Sequence, residues 1–259
     1  MLNICLVGFG RTGRIVADDI CQRKDVELKG VFKKKKDDLI GRDIGKALSS
    51  KPLGNFIYHI SDLDRVLKEN RVDVIIDFSH PDAVTDYVET AASNGVNLVI
   101  CSTGYTDEQR EHISCFLKDI GMVWAPNVTE GINVLIALTK IVKQIWPDAD
   151  IEILEYHFSK KKDISRTAMK IAEAISEADQ IKVGRHRNDP RIGKETVIHT
   201  IRVGGIIGKH SVVIGQPHQT LTMTHESIDR RAFGNGALKA ARWVAGKKGI
   251  FDMVDVLDL

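Results

Sequence analysis

The order of apolar and polar residues in the first half of the chain constrains the fold more than any other feature. Residues 1–124 alternate short apolar runs, rich in β-branched residues, with longer segments of helical period. This alternation is typical of βαβ units, in which helices cover both faces of a parallel sheet. The predicted strands are Asn3–Val7, Glu27–Phe32, Val72–Asp77, Val96–Cys101 and Met122–Trp124, and helices between them include Arg11–Cys21, Pro81–Ser93 and Asp107–Lys118. We therefore predict an α/β domain with a doubly wound parallel sheet.

The pattern changes after Ala125-Pro126-Asn127. A predicted helix (Gly131–Trp146), a strand (Ile151–His157) and a second helix (Thr167–Ser176) come first, and the β-rich runs Thr196–Val203, His210–Ile214 and Gln219–Glu226 follow. Strands that follow one another without helices indicate an α+β domain with an open mixed sheet. An open sheet face usually needs cover, so we expect oligomerisation through it.

The domain organisation follows from these two patterns. The last predicted helix, Arg230–Ala245, is amphipathic and is expected to return to the first domain. We predict one domain from residues 1–127 with 230–259, and a substrate-binding and oligomerisation domain from residues 128–229.

Composition narrows the functional class. With 259 residues, 43% of them hydrophobic and 28% charged, the chain has enough apolar surface for an ordinary core. It has no apolar run near the roughly 20 residues that a membrane helix needs, so a cytoplasmic location and no membrane partner are expected. A net charge of +2 gives no support for nucleic-acid binding. Its four cysteines lack metal-site spacing, so no metal is expected.

A glycine-rich loop follows the first predicted strand and opens the first helix. It reads Gly8-Phe9-Gly10-Arg11-Thr12-Gly13 and fits the GxGxxG pattern. In such a loop the first glycine makes a tight turn, the second lets backbone approach a diphosphate, and the third lets the helix pack on the strand. We predict a Rossmann-like dinucleotide site at Gly8, Gly10, Arg11, Thr12 and Gly13. An ordinary strand-to-helix turn is the alternative interpretation.

The end of the second predicted strand carries positive charge. NAD-specific folds usually place an acidic residue there to accept the ribose 2′-hydroxyl. Here the strand ends in Lys33-Lys34-Lys35-Lys36, which predicts a preference for NADPH with Lys33 at the 2′-phosphate. NADH is the alternative cofactor, and a solvated charge run is the alternative interpretation.

Three further loops are expected at the same sheet edge, because each follows a predicted parallel strand. They are Asp77-Phe78-Ser79-His80-Pro81, Cys101-Ser102-Thr103-Gly104-Tyr105 and Ala125-Pro126-Asn127. The residues predicted to border the nicotinamide are Phe78, Ser79, Ser102, Thr103, Gly104, Ala125 and Asn127. Plain turn chemistry also accounts for Pro81 and Gly104.

A histidine and a lysine stand where the strand of the second domain runs into a polar loop. His157 ends that strand, and Lys161 lies within Lys160-Lys161-Lys162. A histidine titrates near neutrality and can act as a general acid, while an ammonium can hold a carboxylate or stabilise developing charge. We predict catalytic roles for His157 and Lys161. Lone histidines are more often structural, and lysine runs are usually solvated.

Several motifs in order resemble one family, the 4-hydroxy-tetrahydrodipicolinate (dihydrodipicolinate) reductases. They are GFGRTGR at 8–14, DFSHP at 77–81, CSTGY at 101–105, APNVTEGIN at 125–133, EYHFSKKKD at 155–163, RVGGIIGKH at 202–210, HESIDRRAFGNGALKAARWV at 225–244 and GIFDMVDVL at 249–257. Together they are far more specific than any one of them.

The resemblance implies an N-terminal nucleotide domain completed by the C-terminal helix and a central domain that forms a homotetramer. It implies NAD(P)H-dependent reduction of a cyclic conjugated imine with two carboxylates. His157 and Lys161 match the histidine and lysine of the family's active loop, E-x-H-H-x-x-K-x-D-x-P-S-G-T-A, which protonate and position the substrate. Arg230 resembles a residue that contacts the cofactor.

The chain departs from the family pattern in the active loop. The second histidine is replaced by Phe158, and the turn that holds a substrate carboxylate becomes Ile164-Ser165-Arg166-Thr167, one residue shorter. We expect Ser165, Arg166 and Thr167 to bind substrate, with the Arg166 guanidinium gripping a carboxylate in place of the missing glycine. Ser165 and Thr167 are equally suited to capping the next helix. The departures leave two alternatives: a reductase or dehydrogenase for another imine or amino acid, and a non-catalytic NADPH-binding sensor.

Overall fold

The computed structural model describes residues 1–116, 118–186 and 188–259, which form two compact units. Unit 1 comprises Met1–Thr129 with Arg230–Asp258, and unit 2 comprises Glu130–Asp229 with Leu259.

The elements are numbered in chain order within the described residues. The strands are β1 (Leu2–Val7), β2 (Val26–Lys33), β3 (Ile57–His59), β4 (Val74–Asp77), β5 (Asn97–Ile100), β6 (Gly121–Trp124), β7 (Asp150–His157), β8 (Ile181–Val183), β9 (Thr196–Arg202), β10 (Lys209–Gln216), β11 (Gln219–Glu226) and β12 (Gly249–Phe251). The helices are α1 (Arg11–Cys21), α2 (Ile44–Ala47), α3 (Leu63–Glu69), α4 (Pro81–Ser93), α5 (Asp107–Ser114), α6 (Glu130–Ile145), α7 (Arg166–Glu173), α8 (Arg231–Val244) and α9 (Met253–Leu257).

Unit 1 contains a parallel sheet whose strand order is β12-β6-β5-β4-β1-β2-β3. Every adjacent pair described in it is parallel, with Val7 beside Phe32 of β2 on one side and beside Asp77 of β4 on the other. The chain therefore reverses its direction of travel across the sheet between β1 and β4. In doubly wound sheets, ligands bind outside the carboxyl ends of the strands at such a switch point.

Two apolar layers cover the sheet of unit 1. On one face, Ile4 and Leu6 of β1 pack with Val16 of α1 and Leu238 of α8. On the other face, alternate residues of the same strands, such as Cys5, pack with helices α3, α4 and α5. Because neighbouring strand residues point to opposite faces, continuous apolar runs are what a doubly covered parallel strand requires.

Unit 2 contains a mixed sheet in the order β11-β10-β7-β9-β8. Strand β9 is parallel to both of its neighbours, β7 and β8. Strand β10 is antiparallel to both of its neighbours, β7 and β11. One face packs on α6 and α7 through residues that include Ile153, Val212 and Ile171. The opposite face carries Leu154 and Tyr156 of β7, which are half-buried. Burial thus alternates along β7, as a sheet covered on one face requires.

The predicted fold class, a Rossmann-like doubly wound sheet plus an α+β unit with a mixed sheet, is confirmed. The helix predicted over 107–118 is too long: α5 ends at Ser114 because Cys115 and Phe116 donate to carbonyl oxygens three residues back. Position 117 lies outside the described residues. Helix α7 begins one residue earlier than predicted and ends at Glu173. The three-residue strands β3, β8 and β12 were not predicted, because three residues are too few to establish a period.

None of the described helices combines the length and the apolar character that crossing a membrane would require.

Candidate active site

The glycine loop of unit 1 has the backbone geometry that its sequence requires. Gly8 lies in the left-handed region with φ +98°, and a Cβ there would lie 2.7 Å from the Phe78 backbone. A Cβ on Gly13 would lie 2.0 Å from the Gly8 carbonyl oxygen. A Cβ on Gly10 would meet nothing within 4 Å. The outer glycines are therefore needed for packing, and Gly10 leaves open space at the start of α1.

Helix α1 begins without a side-chain cap. Its N-cap residue, Gly10, provides no capping hydrogen bond, and no acidic residue stands in the first turn. Unpaired backbone N–H groups at a helix start attract anions, as does the positive end of the helix dipole. The residues present therefore fit the diphosphate of a dinucleotide.

A cavity of about 540 Å³ lies beside this loop. It is lined by Gly8, Phe9, Gly10, Lys33, Lys34, Lys35, Asp37, Ser79, His80, Asp82 and Ala83. The structure thus brings together four of the predicted cofactor residues: Gly8, Gly10, Lys33 and Ser79. The other predicted cofactor residues do not line this cavity among the residues described.

The lysines after β2 differ in their contacts. Lys33, the residue predicted to bind the 2′-phosphate, forms an ion pair with Asp37, which lowers the pKa of that carboxyl. The Nζ atom of Lys34 lies 2.6 Å from an oxygen of Asp86. Lys35 is exposed, and no hydrogen bond or ion pair joins it to another described residue. Among these three lysines, Lys35 has the charge least engaged by the protein itself.

A buried carboxylate joins the loops that follow β4 and β5. Asp77 accepts hydrogen bonds from the Ser79 backbone N–H (3.0 Å) and hydroxyl (2.7 Å), the Ser102 hydroxyl (2.9 Å) and the Tyr87 hydroxyl (3.0 Å). The Ser102 oxygen also lies 2.6 Å from the Tyr105 hydroxyl oxygen. Burial raises the pKa of Asp77 more than these hydrogen bonds lower it. Ser79 and Ser102, both predicted cofactor residues, are therefore held by one carboxylate, Asp77, which was not among the predicted site residues.

The remaining predicted cofactor residues occupy loop and helix-start positions of unit 1. Arg11 and Thr12 form the first turn of α1. Phe78 follows β4 and is half-buried, whereas Thr103 and Gly104 follow β5 and are exposed.

Two of these positions have clear local roles, and a third is buried. The Asn127 side-chain oxygen accepts from the Thr129 backbone N–H (3.1 Å) and hydroxyl (2.7 Å), which closes the turn after β6. Ala125 is buried. Arg230 is the N-cap residue of α8, so the helix starts at the next residue and not at 230 as predicted.

In unit 2, His157 is held by a carboxylate from its own strand. The Nδ1 atom of His157 lies 2.5 Å from Oε2 of Glu155, two residues earlier on the same face of β7. Glu155 is fully buried and His157 is 9% exposed. The other carboxylate oxygen, Oε1, accepts from Nη2 of Arg202 at 2.6 Å and from the Ser165 backbone N–H at 3.3 Å.

The charge state of Glu155 follows from these partners. Burial alone would raise its pKa, but hydrogen bonds from His157 and Arg202 and their positive charge outweigh burial and bring the pKa to about 2. Glu155 is therefore an ionised acceptor at neutral pH. An ionised carboxylate only accepts hydrogen bonds, so the proton in the contact with His157 is on Nδ1.

A second histidine, His210 on β10, lies against His157. The ring centroids are 5.4 Å apart with planes at 77°, an edge-to-face arrangement. His210 Nε2 lies 2.9 Å from the Ser165 hydroxyl oxygen. Burial, followed by the charge of His157, lowers the pKa of His210 to about 3. His210 is thus neutral at physiological pH and adds no charge beside His157.

Arg202 also holds the loop that carries Lys161. Its guanidinium donates to the carbonyl oxygens of Lys161 (3.0 Å) and Asp163 (3.0 Å). The Lys161 ammonium donates to the Asp163 carbonyl oxygen at 2.7 Å. One arginine therefore connects Glu155, the partner of His157, to the backbone around Lys161.

The predicted substrate residues start helix α7. Ser165 is its N-cap: the hydroxyl accepts from the Ala168 backbone N–H at 3.4 Å, so the capping alternative holds for this side chain. Arg166 is exposed and makes no hydrogen bond or ion pair with another described residue. Thr167 is half-buried in the first turn.

Sequence reasoning missed Glu155, Arg202 and His210 as members of this cluster. All three stand inside motifs already quoted, EYHFSKKKD and RVGGIIGKH. The two-residue spacing of Glu155 and His157 was a usable signal, because residues i and i+2 of a strand share a face. The contacts with Arg202 and His210 depend on the pairing of β7 with β9 and β10, which no local spacing encodes.

The parallel sheet with its glycine loop, together in one chain with a buried histidine–carboxylate pair, defines a dinucleotide-dependent oxidoreductase. Family comparison makes this specific. The model described as "Dihydrodipicolinate reductase, N-terminus" matches residues 2–128, and the one described as "Dihydrodipicolinate reductase, C-terminus" matches residues 131–257. The chain belongs to the dihydrodipicolinate reductase family, which consists of NAD(P)H-dependent oxidoreductases.

Individual relatives match over the full length. The chain is 37% identical to the 4-hydroxy-tetrahydrodipicolinate reductase of Methanosarcina barkeri, with 100% of both chains covered. It is 34% identical to the enzyme of the same name from Ralstonia nicotianae, again with 100% of both covered.

Solved structures share the fold. A dihydrodipicolinate reductase from Paenisporosarcina sp. TG-14 with dipicolinate bound has a TM-score of 0.78 at 24% identity, covering 98% of each chain. An amine dehydrogenase from Mycobacterium smegmatis has a TM-score of 0.61 at 12% identity, covering 96% of this chain and 94% of that one.

Proposed function

We propose that the chain reduces 4-hydroxy-tetrahydrodipicolinate to tetrahydrodipicolinate with NADPH, a step of lysine and diaminopimelate biosynthesis. The observation that carries this proposal is the contact between His157 and Glu155 at the end of β7, in a chain that matches reductases of that name over its whole length. A cytoplasmic location, a small-molecule substrate, and no nucleic-acid or membrane partner belong to the same proposal.

The chemistry assigns distinct tasks to two side chains. Reduction of a conjugated C=C–C=N unit needs a hydride at one carbon and a proton at the other end of the conjugated system. NADPH, when bound, supplies the hydride. His157 delivers the proton, because its Nδ1–H is engaged by Glu155 and Nε2 is the nitrogen left for exchange. Lys161 holds a substrate carboxylate with the ammonium protons that the Asp163 carbonyl does not take.

The second carboxylate of the substrate is assigned to the start of α7. Arg166 presents an exposed guanidinium there, and the backbone N–H groups around Ser165 and Thr167 open the helix. A guanidinium can grip a carboxylate with two parallel hydrogen bonds, which offsets the loss of the family's glycine turn. The Paenisporosarcina reductase binds dipicolinate, a dicarboxylate, which supports a substrate of that class.

The proposed cofactor preference rests on the lysines beside the cavity of unit 1. Lys33 and Lys35 both line it, and Lys35 has no ion-pair partner among the described residues. We assign the ribose 2′-phosphate to Lys35 together with Lys33, with Gly10 and the start of α1 at the diphosphate. The remaining predicted nucleotide residues, including Arg230, keep the roles that the sequence suggests.

Assembly as a homotetramer is proposed through the open face of the unit 2 sheet. This face carries half-buried apolar side chains such as Leu154, Tyr156 and Ile201. Apolar residues on an uncovered sheet face favour burial against another copy.

One specific observation favours a second candidate function. Phe158 and Arg166 replace a histidine and a glycine of the family loop, so a reductase or dehydrogenase for another imine or amino acid is the alternative. A sensor that binds NADPH without turnover is the third candidate.

One assay distinguishes the three candidates: NADPH oxidation upon addition of enzymatically generated 4-hydroxy-tetrahydrodipicolinate. We expect turnover with a lower KM for NADPH than for NADH. His157→Gln and Lys161→Ala should each lower kcat or raise KM about tenfold or more, because the first removes the proton donor and the second removes the group that holds a substrate carboxylate. Lys162→Ala, an exposed neighbour in the same loop, is the matched control.

Each outcome of this assay supports a different one of the three candidate functions. Turnover only with other imines supports the second candidate, and cofactor binding without turnover supports the third. Wild-type rates in both His157→Gln and Lys161→Ala would contradict the assigned mechanism. Tenfold better use of NADH would contradict the cofactor preference alone.

A further inference from the structure

The two oxygens of Glu155 face different kinds of partner. Oε1 faces two groups that only donate, the Arg202 guanidinium at 2.6 Å and the Ser165 backbone N–H at 3.3 Å. Oε2 faces Nδ1 of His157 at 2.5 Å. The Glu155 carboxylate therefore aligns the imidazole ring of His157 through Oε2, while Arg202 and the Ser165 N–H hold its other oxygen in place.

Space next to the opposite ring nitrogen is kept open. A Cβ at Gly208 would lie 3.4 Å from Nε2 of His157, so the missing side chain leaves room beside that atom. His210 covers the ring edge and is neutral, with a pKa of about 3. Nε2 is thus the only nitrogen of His157 that Glu155 leaves available.

We propose that Glu155 is a positioning residue that keeps a proton on Nδ1 of His157, so that Nε2 is the nitrogen that gives its proton to the substrate and the ring is left in the Nδ1–H tautomer after the transfer. Arg202 is its support, since it fixes Oε1 and keeps the carboxylate from turning. This inference rests on the proposed function, because it assigns the proton transfer to Nε2. The orientation of a catalytic imidazole by a hydrogen-bonded carboxylate is a general way to select which nitrogen exchanges the proton.

The variant Glu155→Gln tests the proposal sharply because the amide has one oxygen and one NH₂ group. The oxygen must face Arg202 and the Ser165 N–H, which only donate. The NH₂ group then faces Nδ1 of His157 and requires that atom to accept. The variant should therefore convert the neutral ring to the Nε2–H tautomer with little change in shape.

Two measurements read this change. In protein labelled with ¹⁵N-histidine, the ring-nitrogen NMR shifts of His157, assigned by their loss in His157→Gln, should exchange their protonated and unprotonated values in Glu155→Gln. In the reductase assay, kcat should fall by about 10- to 100-fold while the KM for NADPH stays near that of the wild type, because the acid form of His157 needs protons on both ring nitrogens and the glutamine NH₂ group cannot accept from Nδ1–H.

Strand β7 supplies a matched control. Glu152 contacts His199 Nε2 at 2.7 Å and also binds Arg185 and Arg191, so it forms a second glutamate–histidine–arginine cluster on the opposite face of the sheet. Glu152→Gln should leave the His157 NMR shifts and kcat near wild type, compared at equal oligomeric state by light scattering.

Unchanged His157 shifts in Glu155→Gln would overturn the proposal, as would exchanged shifts with a wild-type kcat. Failure of the proposed function is distinguishable: wild-type protein would then show no turnover with the substrate, while the NMR shifts would still report whether Glu155 selects the tautomer.

Discussion

Two buried carboxylates, one in each unit, lie in contrasting surroundings. Asp77 ends β4 in unit 1 and Glu155 lies near the end of β7 in unit 2, and both are 0% exposed. The pKa of Asp77 is raised, whereas that of Glu155 falls to about 2. Two carboxylates with equal solvent exposure therefore have pKa values shifted in opposite directions.

The difference lies in the charge of the hydrogen-bond donors. Asp77 accepts from three hydroxyl groups and one backbone N–H, all neutral. Glu155 accepts from the cationic Arg202 and from His157. Around Asp77 the neutral donors offset only part of the effect of burial on the pKa, whereas around Glu155 the hydrogen bonds and charges of Arg202 and His157 offset more than that effect. The carboxylate of unit 1 thus connects two loops, and that of unit 2 is an anion at neutral pH beside an imidazole.

Removal of the cation should produce the largest effect. Arg202→Gln leaves the buried Glu155 charge without its strongest partner and frees the carbonyl oxygens of Lys161 and Asp163. We expect the free energy of unfolding to fall by about 3 kcal/mol, because breaking a buried ion pair strands the remaining charge. Urea denaturation at neutral pH measures this loss.

Arg166→Gln is the control, since Arg166 is exposed and makes no ion pair with a described residue. Its unfolding free energy should stay within about 0.5 kcal/mol of wild type. Equal stability of the two variants would mean that the charge of Arg202 does not support Glu155.

The pH dependence of stability should have opposite signs at the two carboxylates. Glu155 has a folded pKa of about 2, below its ordinary 4.5, so its stabilisation is complete above pH 4.5 and is lost as the pH falls towards 2. Asp77 has a raised pKa, so its contribution is complete below 3.8 and is lost as the pH rises through the raised value. His210 has a folded pKa of about 3, below its ordinary 6.5, so the folded chain also loses stability at this residue as the pH falls from 6.5 to 3.

Denaturation of wild type and two variants over a pH series separates these contributions. The stability difference between wild type and Glu155→Gln should shrink as the pH falls below 4.5, by an amount on the order of 2 kcal/mol. The difference between wild type and Asp77→Asn should grow over the falling series. Parallel curves for both variants would show that the two carboxylates do not differ in charge state.

The two regions also differ in how far the sequence predicts them. The glycine loop is local: Gly8, Gly10 and Gly13 are nearly adjacent in the chain, and their spacing alone encodes the turn, the open space and the helix packing. The pair of Glu155 and His157 is also local, and the two-residue period of a strand points to it.

The other contacts of both carboxylates are not local. Ser102 lies 25 residues from Asp77, and Arg202 lies 47 residues from Glu155. Their meeting depends on which strands pair and in which register. A sequence pattern predicts the period of each strand, but not the neighbour beside it. The second unit also lacks a repeating βαβ order that would limit the choice of neighbours.

Of the variants Arg202→Gln, Glu155→Gln and Asp77→Asn, the last should have the smallest effect on the free energy of unfolding. The amide oxygen can take the place of Oδ1, which faces the Ser79 N–H and the Ser102 hydroxyl. The NH₂ group then takes the place of Oδ2, which faces the hydroxyls of Ser79 and Tyr87, and a hydroxyl can turn to accept as well as donate. Every polar group thus keeps a partner, and we expect a loss of about 1 kcal/mol or less in unfolding free energy at neutral pH.

Asp77→Ala is the matched disruption, because it removes both acceptors and leaves the Ser79 N–H without its partner. It should destabilise the chain more than Asp77→Asn does and weaken NADPH binding, measured by titration calorimetry, if Ser79 and Ser102 are held for the cofactor. Should Asp77→Asn cost as much as Asp77→Ala, the negative charge and not the hydrogen-bond network would hold the two loops together. The contrast with Glu155 would then disappear, since both carboxylates would act as anions.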